Sequence, residues 1–439
     1  MTNVRKKSVL LIGTCWVGLN RTLNKPTKYI VRLRHKIHKE IDNERPKVAP
    51  DVVNFLETNS EYSSLIDKIP KQLLRKYKTP ESMYLINKTS SKHIVKTIKG
   101  CLNLDEPIVE VNPGFCFLTQ ELLNTAKGKV HIYETSSYFK NFIDDINNKY
   151  ETRLVSKVAD FFGMAKLAFQ DKMDQGTRLR ELLGPLATEN PDRLLQIIGA
   201  MPGLSFMKYL LTTILFHNTT LLMGRADLYI VMPGHHYEFL TDSQIQNCKH
   251  KSIPALFQLL FDYKMLGKVS KLHYLPWVFP NANKNISIFD EHYLYIVNIR
   301  QKAQLPCHPS YLPLLWYFFR PHMISNSTRV IPMLEQWIPG CGVWLITGQD
   351  PPESRPELTP EDAPLPHITI FTQFGDLNLH QKLTIFKRFV SWPEFDQCPF
   401  RVTMENNLPK FITAAESDGK DTRSTHIDIQ DDDTDTENL

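Results

Sequence analysis

The chain has 439 residues, 42% hydrophobic and 23% charged, which is enough for two domains with well-buried cores. Its seven cysteines are scattered, odd in number and never paired as Cys-x-x-Cys, which argues against a disulfide framework and a structural zinc, and no apolar run reaches the roughly 18 residues of a membrane span. The net charge of +5 is uneven: residues 1–39 hold ten basic residues and no acid, residues 416–439 hold nine acids against two basic residues, and the body between is near neutral, so only local patches bear on nucleic acid.

The N-terminus sets Arg5-Lys6-Lys7 before an apolar Ser8–Leu19 and then a further basic run from Arg21 to Lys39. That pattern reads as a mitochondrial transit segment over about 1–45, with a secretory signal as its rival; the missing small-x-small site and the long basic continuation favour the first. Between Lys68 and Lys99 stand nine basic residues and one acid, Glu81. Ile94, Val95 and Ile98 predict an amphipathic helix over Ser90–Lys99 with Lys92, Lys96 and Lys99 on its polar face. Together with Lys88 these lysines are either a solvated helix face or a phosphate-contacting patch.

Pro107–Thr119 follows, with Ile108, Val109 and Val111 suiting a buried strand, Asn112-Pro113-Gly114 a tight turn, and Leu118–Leu123 the start of a helix. Further strands are predicted at Lys129–Tyr133, Arg153–Val158, Arg193–Gly199, Ala226–Met232, Lys268–Leu275 and Tyr293–Ile299, with helices at Ser136–Asn147, Phe206–Phe216 and Ile253–Leu266. Asp171–Asn190 reads as an insertion. The alternation predicts an α/β fold, a doubly wound, mostly parallel Rossmann-like sheet with helices on both faces, over about 46–300. Beyond Gln301 the periodicity turns helical at Tyr311–Arg320, Arg329–Trp337 and Asn378–Val390, a small α-helical domain over 301–412. It is interrupted by a proline-rich insertion at 349–367 and followed by an acidic tail, 413–439, expected to be disordered.

Three acids end consecutive predicted strands: Glu110, Glu134 and Asp160. In a doubly wound sheet they meet at one crevice, where a carboxylate after the second strand takes ribose hydroxyls and one after the third takes an adenine amino group. This is the layout of an S-adenosyl-L-methionine pocket, with Asn112 and Gly114 in its turn. His235, His236, His273 and His292 lack metal-ligand spacing and read as structural; Trp316, Phe318 and Phe319 read as core.

The set Glu110-Val-Asn-Pro-Gly-Phe-Cys-Phe-Leu-Thr119, Glu134, Asp160 and Ile198-Gly-Ala-Met-Pro202 resembles the rRNA adenine N6-dimethyltransferases, and most closely the second paralogue of their mitochondrial transcription factor B branch. Tyr84-Leu85-Ile86-Asn87, Gly224–Leu228, Leu272–Trp277 and Tyr293–Arg300 add to a likeness that covers Met83–Glu405. The resemblance implies a methyltransferase fold, S-adenosylmethionine as donor, and either of two roles. One is a mitochondrial transcription initiation factor in the matrix nucleoid, partnered by the mitochondrial RNA polymerase and melted promoter DNA. The other is an rRNA adenine N6,N6-dimethyltransferase; a bare donor- or RNA-binding module is a third.

The chain departs from the enzymes at their Asn-Leu-Pro-Tyr signature, which reads here Ala200-Met201-Pro202-Gly203. The amide that accepts from the adenine amino group and the ring on which the base stacks are both absent. No catalytic residue is therefore assigned. Asn112 stands where the family has Gly, and Phe115, Cys116 and Phe117 are bulkier than the loop's usual residues. For nucleic acid the candidates are Lys88, Lys92, Lys96 and Lys99 beside the crevice, and Arg320, His322 and Arg329 in the helical region.

Overall fold

The computed structural model describes residues 48–77, 79–186, 194–217, 225–241, 252–278, 290–320, 325–347, 365–406 and 408. The transit segment, the acidic tail, His322 and nearly all of the proline-rich insertion lie outside them.

A lead-in helix, α1 (Pro50–Thr58), starts with proline at its first turn and buries Val52 and Leu56, one turn apart. Strand β1 (Tyr84–Leu85) leads into α2 (Lys88–Ile98), where Asn87 caps the helix by accepting from the Ser90 amide at 2.8 Å. Ile94, Val95 and Ile98 are buried on one side of α2, while Lys88, Lys92 and Lys96 form an exposed stripe continued by Lys99.

The units that follow are β2 (Ile108–Val111), α3 (Phe117–Thr125), β3 (Val130–Tyr133), α4 (Lys140–Lys149) and β4 (Leu154–Lys157). Helix α5 (Met164–Asp174) runs into the predicted insertion at its last turn and α6 (Arg178–Leu183) lies within it, before β5 (Leu194–Ala200). Then come α7 (Ser205–Thr212), β6 (Arg225–Pro233), α8 (Gly234–Thr241), α9 (Ser252–Leu260), β7 (Phe261–Ser270), β8 (Tyr274–Leu275) and β9 (Tyr293–Gln301).

The main sheet has the order β4-β3-β2-β5-β6-β9-β7. Neighbours from β4 to β6 are parallel, and β9 and β7 complete the sheet antiparallel. This is the expected doubly wound methyltransferase-type sheet. Strand β2 is central and buried at all four positions, which is why it reads as a continuous apolar run apart from Glu110.

Two expected elements differ. The helix predicted over Ile253–Leu266 stops at Leu260, and Phe261 opens a ten-residue strand. The strand predicted at Lys268–Leu275 is divided at Lys271–His273, where a 3₁₀ turn forms and the Ser270 hydroxyl accepts from the Leu272 amide. Its last two residues, β8, pair with β1 in a separate small sheet. Pairing with β9 overrides the local helical periodicity of residues 261–266, and a bulge between Met265 and Gly267 hides the strand's alternation.

The helical region contains α10 (Leu312–Phe318), α11 (Val330–Trp337), α12 (Val343–Thr347) and α13 (Leu379–Val390), the last started by a reciprocal cap between Asn378 and Gln381. Its Leu315, Phe318 and Phe386 join Val109, Ile197 and Ile230 of the sheet in one continuous core cluster. The opposite sheet face, with Ile108, Ile132 and Ile198, packs on α2 and α3. A third cluster sets the lead-in's Val52, Leu56 and Tyr62 against Tyr84, Phe115, Phe139 and Leu275. The lead-in thereby packs over the turn after β2. Among the described residues no helix is long and apolar enough to cross a membrane.

Candidate functional site

The C-terminal edges of β2, β3 and β4 build the site. Parallel pairing of Glu110 with Ile132 and Ile198 fixes β2 between β3 and β5, and its chain then turns at once. That turn is left-handed at Asn112 (φ 56°), Gly114 (φ 56°) and Cys116 (φ 58°). Asparagine is among the few side chains that take this conformation readily, whereas cysteine pays about 1 kcal/mol or more for it. The Asn112 side chain donates through Nδ2 to Ser82 Oγ at 3.2 Å, which helps hold the turn. At Gly114 a Cβ would lie 2.7 Å from Tyr84 Cδ1, so only glycine fits.

The structure brings Glu110, Asn112, Gly114 and Glu134 together at one end of the sheet. Glu134 is 3% exposed; its Oε2 accepts from the Gly114 amide at 3.2 Å, and its Oε1 accepts from the Ser136 amide at 2.8 Å and the Tyr84 hydroxyl at 3.4 Å. Burial pushes the Glu134 carboxyl up from its ordinary value, against the pull of these amides. Asp160 lies past the end of β4, exposed, and accepts from the Gly163 amide at 2.9 Å ahead of α5. Of the bulky residues Phe115 and Phe117, Phe115 packs in the same apolar cluster as Val52 and Leu56 of the lead-in and meets Phe139 at 5.0 Å and Phe142 at 5.2 Å between ring centres, and Phe117 packs against that cluster.

Glu110 is fully buried on β2, and burial pushes its carboxyl up to about 8. Thr119 sits beside it, yet Glu110 Oε2 has no hydrogen-bond partner. This group binds its proton in the folded state over a range where the unfolded chain has lost it. Its contribution to stability is thus complete below about pH 4.5 and declines as pH rises toward 8. Glu110→Gln is expected to remove that decline and to stabilise the protein at pH 8 by on the order of 1–3 kcal/mol. Urea melts of both proteins at pH 5 and pH 8 check this, and parallel pH dependences would refute it.

The three strand-end acids, the glycine turn and one orphaned, buried carboxylate oxygen form a set that suits S-adenosylmethionine, a ligand with a ribose diol, an adenine and an amino group. From the sequence, Tyr84 belongs only to the segment entering the site. Nothing in the spacing signals that its hydroxyl reaches Glu134, 50 residues away.

At the end of β5, Ala200 and Met201 are buried, and the Met201 amide donates to Val231 O at 2.9 Å. A Cβ at Gly203 would meet nothing within 4 Å, so a side chain could begin there without a clash. Of the candidate cations, Lys88 lies over the Phe117 ring at 5.4 Å, which starts the lysine stripe next to the turn. Arg320 and Arg329 belong to the helical region. Arg320 stacks on Trp316 at 4.8 Å, and burial lowers its pKa from the ordinary value. Arg329 is exposed and lies 5.4 Å over the ring of Phe371, itself 66% exposed. Phe318 and Phe319 are core, and His273 is tied to Ser90 Oγ at 2.6 Å. No group of three or more His, Cys, Asp and Glu side chains among the described residues would hold a metal.

No protein-family model matches the chain. In fold it is similar to the 23S rRNA methyltransferase ErmE, with 14% identity, 70% of this chain and 99% of that one covered, and a TM-score of 0.39. It is similar at the same TM-score to a dimethyladenosine transferase from Plasmodium falciparum, with 12% identity and coverage of 70% and 97%. Among curated proteins it is 30% identical over 383 residues to "Dimethyladenosine transferase 2, mitochondrial" of Drosophila melanogaster, covering 79% of this chain and 84% of that protein. With that extent of identity, the chain belongs to the dimethyladenosine transferase family.

Proposed function

We propose that the protein is a mitochondrial transcription initiation factor of the transcription factor B type, which keeps the dimethyltransferase scaffold and assists the mitochondrial RNA polymerase in opening promoter DNA. The observation that carries this reading is the end of β5, where Ala200 and Gly203 supply neither the amide nor the ring that adenine methylation needs. Losing one positioned hydrogen-bonding group costs on the order of 10²–10³ in rate, and losing a stacking platform roughly 1–3 kcal/mol per base.

What remains is suited to holding melted strands. The exposed lysines of α2 present phosphate-binding charge, and Arg329 over the exposed Phe371 offers a cation beside an aromatic face. The matrix and its nucleoid are the proposed location, supported by the basic N-terminus and by the word "mitochondrial" in the relative's name. In this reading residues 1–45 are the transit segment, 46–300 the methyltransferase-like domain, 301–412 the helical domain and 413–439 an acidic tail.

S-adenosylmethionine, when bound, supplies an electrophilic methyl. In its pocket Glu134 would take the ribose hydroxyls, Asp160 the adenine amino group, and Asn112 and Gly114 would bring the backbone close, with Glu110 beneath. This set, and the relative's name, favour the second reading, an S-adenosylmethionine-dependent rRNA adenine N6,N6-dimethyltransferase.

Run-off transcription by purified mitochondrial RNA polymerase from a linear promoter template separates the two. Adding the protein is expected to raise promoter-dependent product severalfold, equally with and without the donor. No stimulation, together with methylation of a small-subunit rRNA hairpin, would establish the second reading instead.

A further inference from the structure

Tyr84 occupies the donor crevice in two ways. Its ring lies against Gly114, the position where a ligand must approach the backbone, and is held there by Phe139 at 4.6 Å between ring centres. Its hydroxyl donates to Glu134 Oε1 at 3.4 Å. An ionised carboxylate has about four acceptor positions. Those of Glu134 already serve the Gly114 amide, the Ser136 amide and Tyr84, whereas a ribose diol needs two.

We propose that the Tyr84 hydroxyl is an internal stand-in for a ribose hydroxyl on Glu134, so that adenosine-type ligands bind this crevice only by displacing it. This rests on the reading of the crevice as a donor pocket. The latch is anchored from outside the crevice as well. Tyr84 belongs to the same apolar cluster as Val52, Leu56 and Tyr62 of the lead-in, so swinging the ring out means disturbing that packing. Burial and the neighbouring Glu134 carboxylate both raise the Tyr84 pKa, which keeps the hydroxyl a donor throughout the physiological range.

Tyr84→Phe keeps the ring and its packing and removes only the donor, while Glu134 retains both backbone amides. Titration calorimetry with S-adenosylhomocysteine is expected to show about three- to tenfold tighter binding to Tyr84→Phe than to the natural protein, the scale of one hydrogen bond released to the ligand. The gain is expected to vanish for the 2′,3′-dideoxy form of the same ligand and in the Tyr84→Phe/Glu134→Gln double variant, which a change in packing alone would not produce. Equal or weaker binding to Tyr84→Phe, with Glu134→Gln still lowering affinity, would overturn the latch and leave the pocket reading intact. Binding that ignores Glu134→Gln in every background, or no binding to any variant, would overturn both.

Discussion

Adenine methylation is expected to appear in the Ala200→Asn/Gly203→Tyr double variant, at a rate on the order of 10² above the natural protein. The backbone at this point is already placed: β5 is paired with β2 and β6, and the Met201 amide is fixed on Val231 O. An asparagine at 200 would present an amide oxygen to the exocyclic amine, drawing on its hydrogens and freeing the nitrogen lone pair to attack. Gly203 has open space where a side chain would begin, so a Cβ there meets no clash and a tyrosine can be introduced to serve as the ring on which the extruded base stacks. The two contributions act on one substrate group and need not add. Methyl incorporation into a small-subunit rRNA hairpin measures the gain. If the double variant stays inactive while Tyr84→Phe added to it brings transfer, donor binding is a second block beside the missing signature.

Phe318→Ala is expected to cost about 3–5 kcal/mol, the range for emptying a buried aromatic site, and to lower the melting temperature by roughly 10 °C. Phe318 is fully buried, with Phe319, Phe374, Phe386 and Phe389 at 5.3–6.3 Å between ring centres. These rings belong to α10, α13 and the turns between, and the cluster they form is continuous with Val109, Ile197 and Ile230 of the sheet. Because the sheet face and the helical region share this core, far-ultraviolet dichroism and tryptophan fluorescence are expected to report one shifted transition. Two separated transitions would mean that the helical region unfolds by itself.

Most of the sheet is legible in the sequence because buried central strands write themselves as largely apolar runs, as Ile108–Val111 does apart from Glu110 and as Leu228–Met232 does within β6. The helix of the lysine stripe is legible for the complementary reason, an apolar face at helical spacing against a cationic one. Residues 261–270 are hidden because their strand is imposed by β9 from a distant part of the chain and then bulged at Gly267. The crevice is half legible. Glu110, Glu134 and Asp160 announce themselves as acids at strand ends, and Asn112 and Gly114 as a turn. Cys116 gives no sign of its left-handed backbone, and the reach of Tyr84 to Glu134 depends on a two-residue strand, β1, whose partner is β8. Local sequence encodes which residues meet solvent or core; it does not encode which distant hydroxyl will claim a buried carboxylate.

In the proposed reading the scaffold is kept while the chemistry at the end of β5 is lost. The most direct test is mass spectrometry of a small-subunit rRNA hairpin after incubation with stoichiometric natural protein and saturating S-adenosylmethionine. The hairpin adenines are expected to remain unmodified, at the level of a control without protein. Conversion of those adenines to the N6,N6-dimethyl form would contradict that reading.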